Sequence, residues 1–102
     1  MAKVVHTYSV LTYGGPTGYQ TNRAQIQLSD ADGKSLAWLR FNDPGMSFEN
    51  DYERDGIIRM HLPTTMFMPI IDVLRNESGV VIYMAQGRAF LGTEKEPIGE
   101  GE

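Results

Sequence analysis

Hydrophobic and polar positions alternate along most of this chain, and the alternation gives way once to a helical period. Phe67, Ile70, Ile71 and Leu74 recur at i, i+3, i+4 and i+7, which places them on one face of a helix. Met66 and Val73 widen that apolar face, and Asp72, Arg75 and Glu77 turn outward. The stretch from Pro63 to Gly79 therefore predicts one amphipathic helix over Thr64–Asn76. Thr64 or Thr65 can cap its start, and the run from Asn76 to Gly79 stops it. Pro69 brings no amide hydrogen to a helix interior. The helix is accordingly expected to begin late, or to carry a distorted first turn.

The rest of the pattern has a period of two. Val4 to Tyr13 is rich in β-branched and aromatic residues, with Val4, Tyr8 and Val10 on one face and Thr7 and Ser9 on the other. Gly14-Gly15-Pro16-Thr17-Gly18 breaks this first strand. Ala24 to Ser29 alternates cleanly, as a strand with one wet face does. Asp32-Gly33 signals a hairpin turn into Leu36–Phe41. Asn42 to Asp55 reads as a long polar loop, and Ile57–Leu62 as a fourth strand. After the helix come strands Val80–Ala85 and Arg88 to about Thr93, joined by Gln86-Gly87.

The element order is thus ββββαββ. It predicts an α+β domain: an antiparallel sheet of five or six strands, curved or partly closed, with one helix packed on one face. Residues 1–94 read as a single domain and residues 95–102 as an acidic C-terminal tail.

Parity assigns the two faces. Ala24, Ile26, Leu28, Ala37, Leu39, Phe41, Ile58, Met60 and Leu62 fall on the side expected to meet the helix. The opposite side carries Arg23, Gln25, Gln27, Leu36, Trp38, Arg40, Ile57, Arg59 and His61, and Tyr83, Arg88 and Phe90 of the last two strands can join it. A face mixing aromatic rings with arginines is too apolar to be left simply solvated. Leu36, Trp38, Arg40, Ile57, Arg59, His61, Tyr83, Arg88 and Phe90 are the candidate interface or binding residues.

Charge sharpens this picture. The net charge is −4, but Asp43, Glu49, Asp51, Glu53 and Asp55 crowd one loop against Arg54, and Glu94, Glu96, Glu100 and Glu102 acidify the tail against Lys95. The body between them carries a small positive excess. With no cysteine, the chain has no disulfide, thiolate metal site or cysteine nucleophile. The opening Met-Ala-Lys-Val-Val-His lacks the apolar core of a signal peptide, and no apolar run reaches bilayer length. A soluble, cytoplasmic protein with no membrane partner is expected.

The function these features favour is that of a small homo-oligomeric binding or assembly module using the sheet face opposite the helix, a dimer or higher oligomer. One alternative is a single-stranded nucleic-acid-binding protein, with rings stacking on bases and arginines tracking phosphates. The net charge and the scattered Lys3, Lys34 and Lys95 argue against it. A second alternative is a small acid–base enzyme built around His61, with Arg59 and a carboxylate such as Asp55. His6 and His61 lie on different strands at no metal-pair spacing, and no serine has a nucleophile context, so no catalytic residue is assigned. Tyr13 to Tyr19 resembles a phosphate-cradling loop only superficially, because a strand follows it and it holds no lysine. The acidic loop 42–55 offers oxygen ligands, but not at EF-hand spacing. No cofactor and no metal are expected.

Overall fold

The computed structural model describes residues 2–19, 22–46 and 48–94. The acidic tail expected at 95–102 lies outside them. Along the chain run β1 (Lys3–Val4), β2 (Thr7–Thr12), β3 (Ala24–Ser29), β4 (Ser35–Asn42), β5 (Tyr52–Arg54), β6 (Ile57–Pro63), α1 (Phe67–Asn76), β7 (Val80–Ala85) and β8 (Arg88–Thr93). They form a five-stranded sheet in the order β2-β3-β4-β6-β5 and a three-stranded sheet in the order β1-β7-β8. The α+β class, the single helix and the mostly antiparallel pairing match the pattern of the sequence.

The expected core parity holds with one exception. Leu36, read onto the opposite face, joins the core cluster, because the β3–β4 register shifts between Leu28 and Ser29, which pair with Ala37 and Ser35. Ile26, Leu28, Ala37, Leu39 and Phe41 are fully buried, with Ala24, Ile58 and Leu62 nearly so. Ile70 and Ile71 of α1 and Ile82 and Ala89 of the smaller sheet join the same cluster. Phe67 sets its ring edge against Phe41, centroids 5.1 Å apart at 75°, an arrangement aromatic quadrupoles favour. α1 therefore closes over the core side of the larger sheet.

The helix does begin late. A 3-10 turn over Thr64–Met66 precedes it, and the N-cap positions fall on Pro63 and Met66, without a side-chain cap bond, rather than on either threonine. With Phe67 as its first residue, Pro69 is the third, within the turn whose amides have no intrahelical acceptor. Its missing N–H costs the helix nothing there.

Three details of the topology differ from the sequence reading, which placed five or six strands in one antiparallel sheet. The loop 42–55 contains β5, which turns back through Asp55 and Gly56 (φ 56° and 78°) to pair with β6. That extended path returns the chain to the end from which β4 started, so β4 and β6 run parallel, with Ala37 beside Ile58 and Phe41 beside Leu62. The first strand is divided as well. Val5 donates its N–H to the Val80 carbonyl of the smaller sheet at 2.9 Å, and the next residue, His6, donates to the Ser29 carbonyl of the larger at 2.8 Å. Adjacent amides of an extended chain point to opposite edges, so one segment serves both sheets and forms their corner.

Candidate interaction surface

The side of the larger sheet away from the core carries a ladder of aromatic rings and guanidinium groups. The parallel register sets Trp38 beside Arg59 and Arg40 beside His61, and the β5 pairing sets Tyr52 beside Arg59. The Arg59 guanidinium lies 4.4 Å from the Trp38 ring centroid and 5.5 Å from that of Tyr52. Its Nη1 donates to the carbonyls of Arg54 (2.7 Å) and Ile57 (2.9 Å), which fastens the β5–β6 turn. Arg40 lies over Trp38 and Arg54 over Tyr52, each at 5.5 Å. Such contacts are attractive because the ring face is electron-rich. They also occupy these rings. A base stacking on Trp38 would have to displace a guanidinium group, unlike the open platforms on which single strands stack.

Beside the ladder, the Asp51 carboxylate links the two sheets. Its Oδ1 accepts the His61 backbone N–H at 2.8 Å, and its Oδ2 accepts that of Ala89 in β8 at 3.0 Å. The His61 side chain beneath it is only 2% exposed, with Nδ1 3.5 Å from Asp51 Oδ1. Burial holds this imidazole below its ordinary value of 6.5; nearby Glu49 and Asp51 pull it up and Arg40 pushes it further down. Both ring nitrogens are buried, and neither has a hydrogen-bond partner among the described residues. A general acid or base has to reach its substrate's proton, and this ring is enclosed. Asp55, the carboxylate expected near it, sits exposed in the β5–β6 turn, and the acid beside His61 is Asp51.

Two other acids of the loop go to separate partners. Asp43 Oδ2 accepts from Arg23 Nε at 2.7 Å, and Glu53 pairs with Lys3 at 2.9 Å. Among the described residues, no group of three His, Asp or Glu side chains is placed to hold a metal ion. Arg23 also donates from Nη1 to the carbonyls of Tyr13 (2.6 Å) and Gly15 (3.0 Å). The glycine-rich loop is thus tied down through its own carbonyls. Gly18 is required there, because its φ is +65° and a Cβ would run into the Asn22 carbonyl.

The nine candidate residues are distributed over two sheets and over a wide range of exposure. Leu36 and Arg59 are 8% and 9% exposed, whereas Trp38, Arg40 and Ile57 are half-buried. Tyr83 and Phe90 face each other across β7 and β8 and stack with centroids 5.2 Å apart. Arg88 is exposed on the same side of β8 as Phe90.

The most exposed apolar strand lies elsewhere. All six residues of β2 are exposed, and β2 ends the larger sheet, with no strand of the described residues on its outer edge. Val10 is 40% and Leu11 50% exposed. Tyr8 and Val10 pair with Leu28 and Ile26 of β3, so they continue the core side of the sheet out into solvent. At the Thr12 end, a groove of about 280 Å³ opens between β2 and the start of α1, lined by Thr12, Arg23, Asp43, Phe67 and Met68 among others. The uncharged run from Thr7 to Thr12 was visible in the sequence, but its place at the edge depends on strand order.

Comparison with protein families, with curated proteins and with solved structures finds no match for this chain. Among the described residues no helix is long and apolar enough to cross a membrane.

Proposed function

We propose that this protein is a small binding or assembly module that self-associates, and that β2 is the element through which it does so. One observation carries the reading: an uncharged six-residue strand stands at the sheet edge with every residue exposed. A strand of this kind presents unpaired backbone donors and acceptors, and monomeric proteins ordinarily blunt such edges with charge, proline or a bulge. β2 carries no charge and no proline. Its core side also offers Tyr8 and Val10 as apolar area that a second strand would remove from water. The cysteine-free composition suits the reducing cytoplasm in which we place the protein.

Light scattering coupled to size exclusion tests the reading. The wild type is expected at twice the monomer mass or more, and Val10→Lys, which puts a charge on the pairing edge, is expected at the monomer mass. A wild type that runs as a monomer at micromolar concentration overturns it.

A further inference from the structure

Resting on self-association through β2, we infer that two copies pair antiparallel along this strand about a twofold axis at Ser9, joining the two larger sheets into one of ten strands.

The hydrogen-bond pattern decides which groups are available. Tyr13 donates its N–H to the Arg23 carbonyl at 2.8 Å, in step with the β2–β3 register. Backbone groups alternate between edges along a strand. Thr7, Ser9 and Leu11 therefore turn theirs toward β3, and Tyr8, Val10 and Thr12 turn theirs to the open edge; the His6–Ser29 bond lies one residue out of this register, at the corner before β2 begins.

Symmetry then restricts the register. Residues directly opposite in an antiparallel pair share a face, and a twofold axis normal to the sheet leaves the faces unchanged. A residue can thus oppose only one of its own parity, and the axis must pass through a residue. The Val5–Val80 bond means that β7 occupies this edge before β2 begins, and the loop anchored by Arg23 begins at Tyr13. Only Ser9 and Val10 remain near the centre of the open stretch. An axis at Val10 sets each Tyr8 against Thr12. An axis at Ser9 sets each Tyr8 against the second copy's Val10, twice over, on the side that continues the core. Aromatic rings opposite β-branched side chains are the better cross-strand pairs, and Ser9 is the assignment.

Charge points to a second copy as the occupant. Residues 7 to 12 bear none, so self-pairing sets no like charges against each other. A charged peptide would find no countercharge on the strand.

The chain has no cysteine, so a single substitution reads the register. At a non-hydrogen-bonded antiparallel pair the Cα atoms stand about 4.5 Å apart, within the range a disulfide spans. Ser9→Cys under mild oxidation is expected to convert most of the protein to a covalent dimer on a non-reducing gel. Ser78→Cys, exposed and distant in sequence, is expected to stay monomeric on the gel. A dimeric wild type whose Ser9→Cys variant fails to cross-link, while Val10→Cys succeeds, overturns the Ser9 register and leaves self-association standing. A monomeric wild type overturns both, and assigns the edge to some other chain.

Discussion

Ala89 donates its backbone N–H to Asp51 Oδ2 at 3.0 Å across 38 positions of sequence, and through this bond β8 is tied to the end of β6. The other oxygen of the same carboxylate holds the His61 amide. Removing the side chain would leave two strand amides without an acceptor, and each unmet amide costs about 1–3 kcal/mol where water cannot replace the partner. Asp51→Ala is expected to lower unfolding stability by about 3 kcal/mol. Asp51→Asn, which retains one good acceptor, is expected to fall between it and wild type. Urea unfolding midpoints measure both, and an Asp51→Ala protein within about 0.5 kcal/mol of wild type would show that the link contributes nothing.

The enclosed imidazole makes stability depend on pH. His61 is held below 6.5 when folded, chiefly by burial, while the unfolded chain binds a proton near the ordinary value of about 6.5. Between those two values the unfolded state holds more protons, so stability rises with pH. The contribution is full above pH 6.5 and is lost as pH falls through the folded value. Thermal melts from pH 7.5 downward are expected to show this decline for wild type, with a shallower slope for His61→Phe. Equal slopes in the two proteins would show that the pH dependence does not come from His61.

Much of this architecture was legible because side-chain parity is a local property. The alternation Ala24, Ile26, Leu28 and Ala37, Leu39, Phe41 identified the core side, and all six are buried. The helix was equally plain from Phe67, Ile70, Ile71 and Leu74. What stayed hidden was the pairing of distant strands. Asp55-Gly56 is as good a hairpin signal as Asp32-Gly33, but β5 is only three residues long and its flanks are acidic, so the segment read as loop. The parallel β4–β6 pair followed from that hidden strand. The open sheet face was a reasonable expectation from Trp38, Arg40 and Arg59, yet the rings and guanidinium groups on it largely cover one another. No local pattern announces such mutual covering.

Arg59 is the centre of that covering, and its charge can be removed while its stem is kept. Arg59→Met loses the two Nη1 bonds that fasten the β5–β6 turn and both ring contacts. A loss of about 2–3 kcal/mol is expected from bonds and cation–π contacts of this kind. Trp38 is the only tryptophan, so its emission reports the site directly. A red shift is expected as water replaces the guanidinium. Arg59→Lys is expected to behave more like Met than like wild type, because an ammonium cannot reach both carbonyls and stack on two rings. Unchanged emission in both variants would mean the indole is not in contact with Arg59 in solution.

Two surfaces compete as the site of self-association, and one pair of variants separates them. If the sheet face carried the interface, Trp38→Ala with Tyr83→Ala would dissociate the assembly. Trp38 instead packs beneath Arg40 and Arg59, and Tyr83 packs on Phe90, so both are engaged within one copy. The double variant is therefore expected to keep the wild-type mass in light scattering while losing about 2 kcal/mol or more of stability from truncated packing. Val10→Lys is expected to do the reverse, because Val10 is 40% exposed and contributes little to the monomer's core. It should halve the mass and leave the urea midpoint, extrapolated to low protein concentration, close to wild type. If the double variant dissociates while Val10→Lys does not, the interface lies on the aromatic face, and the exposed edge of β2 must be protected by other means.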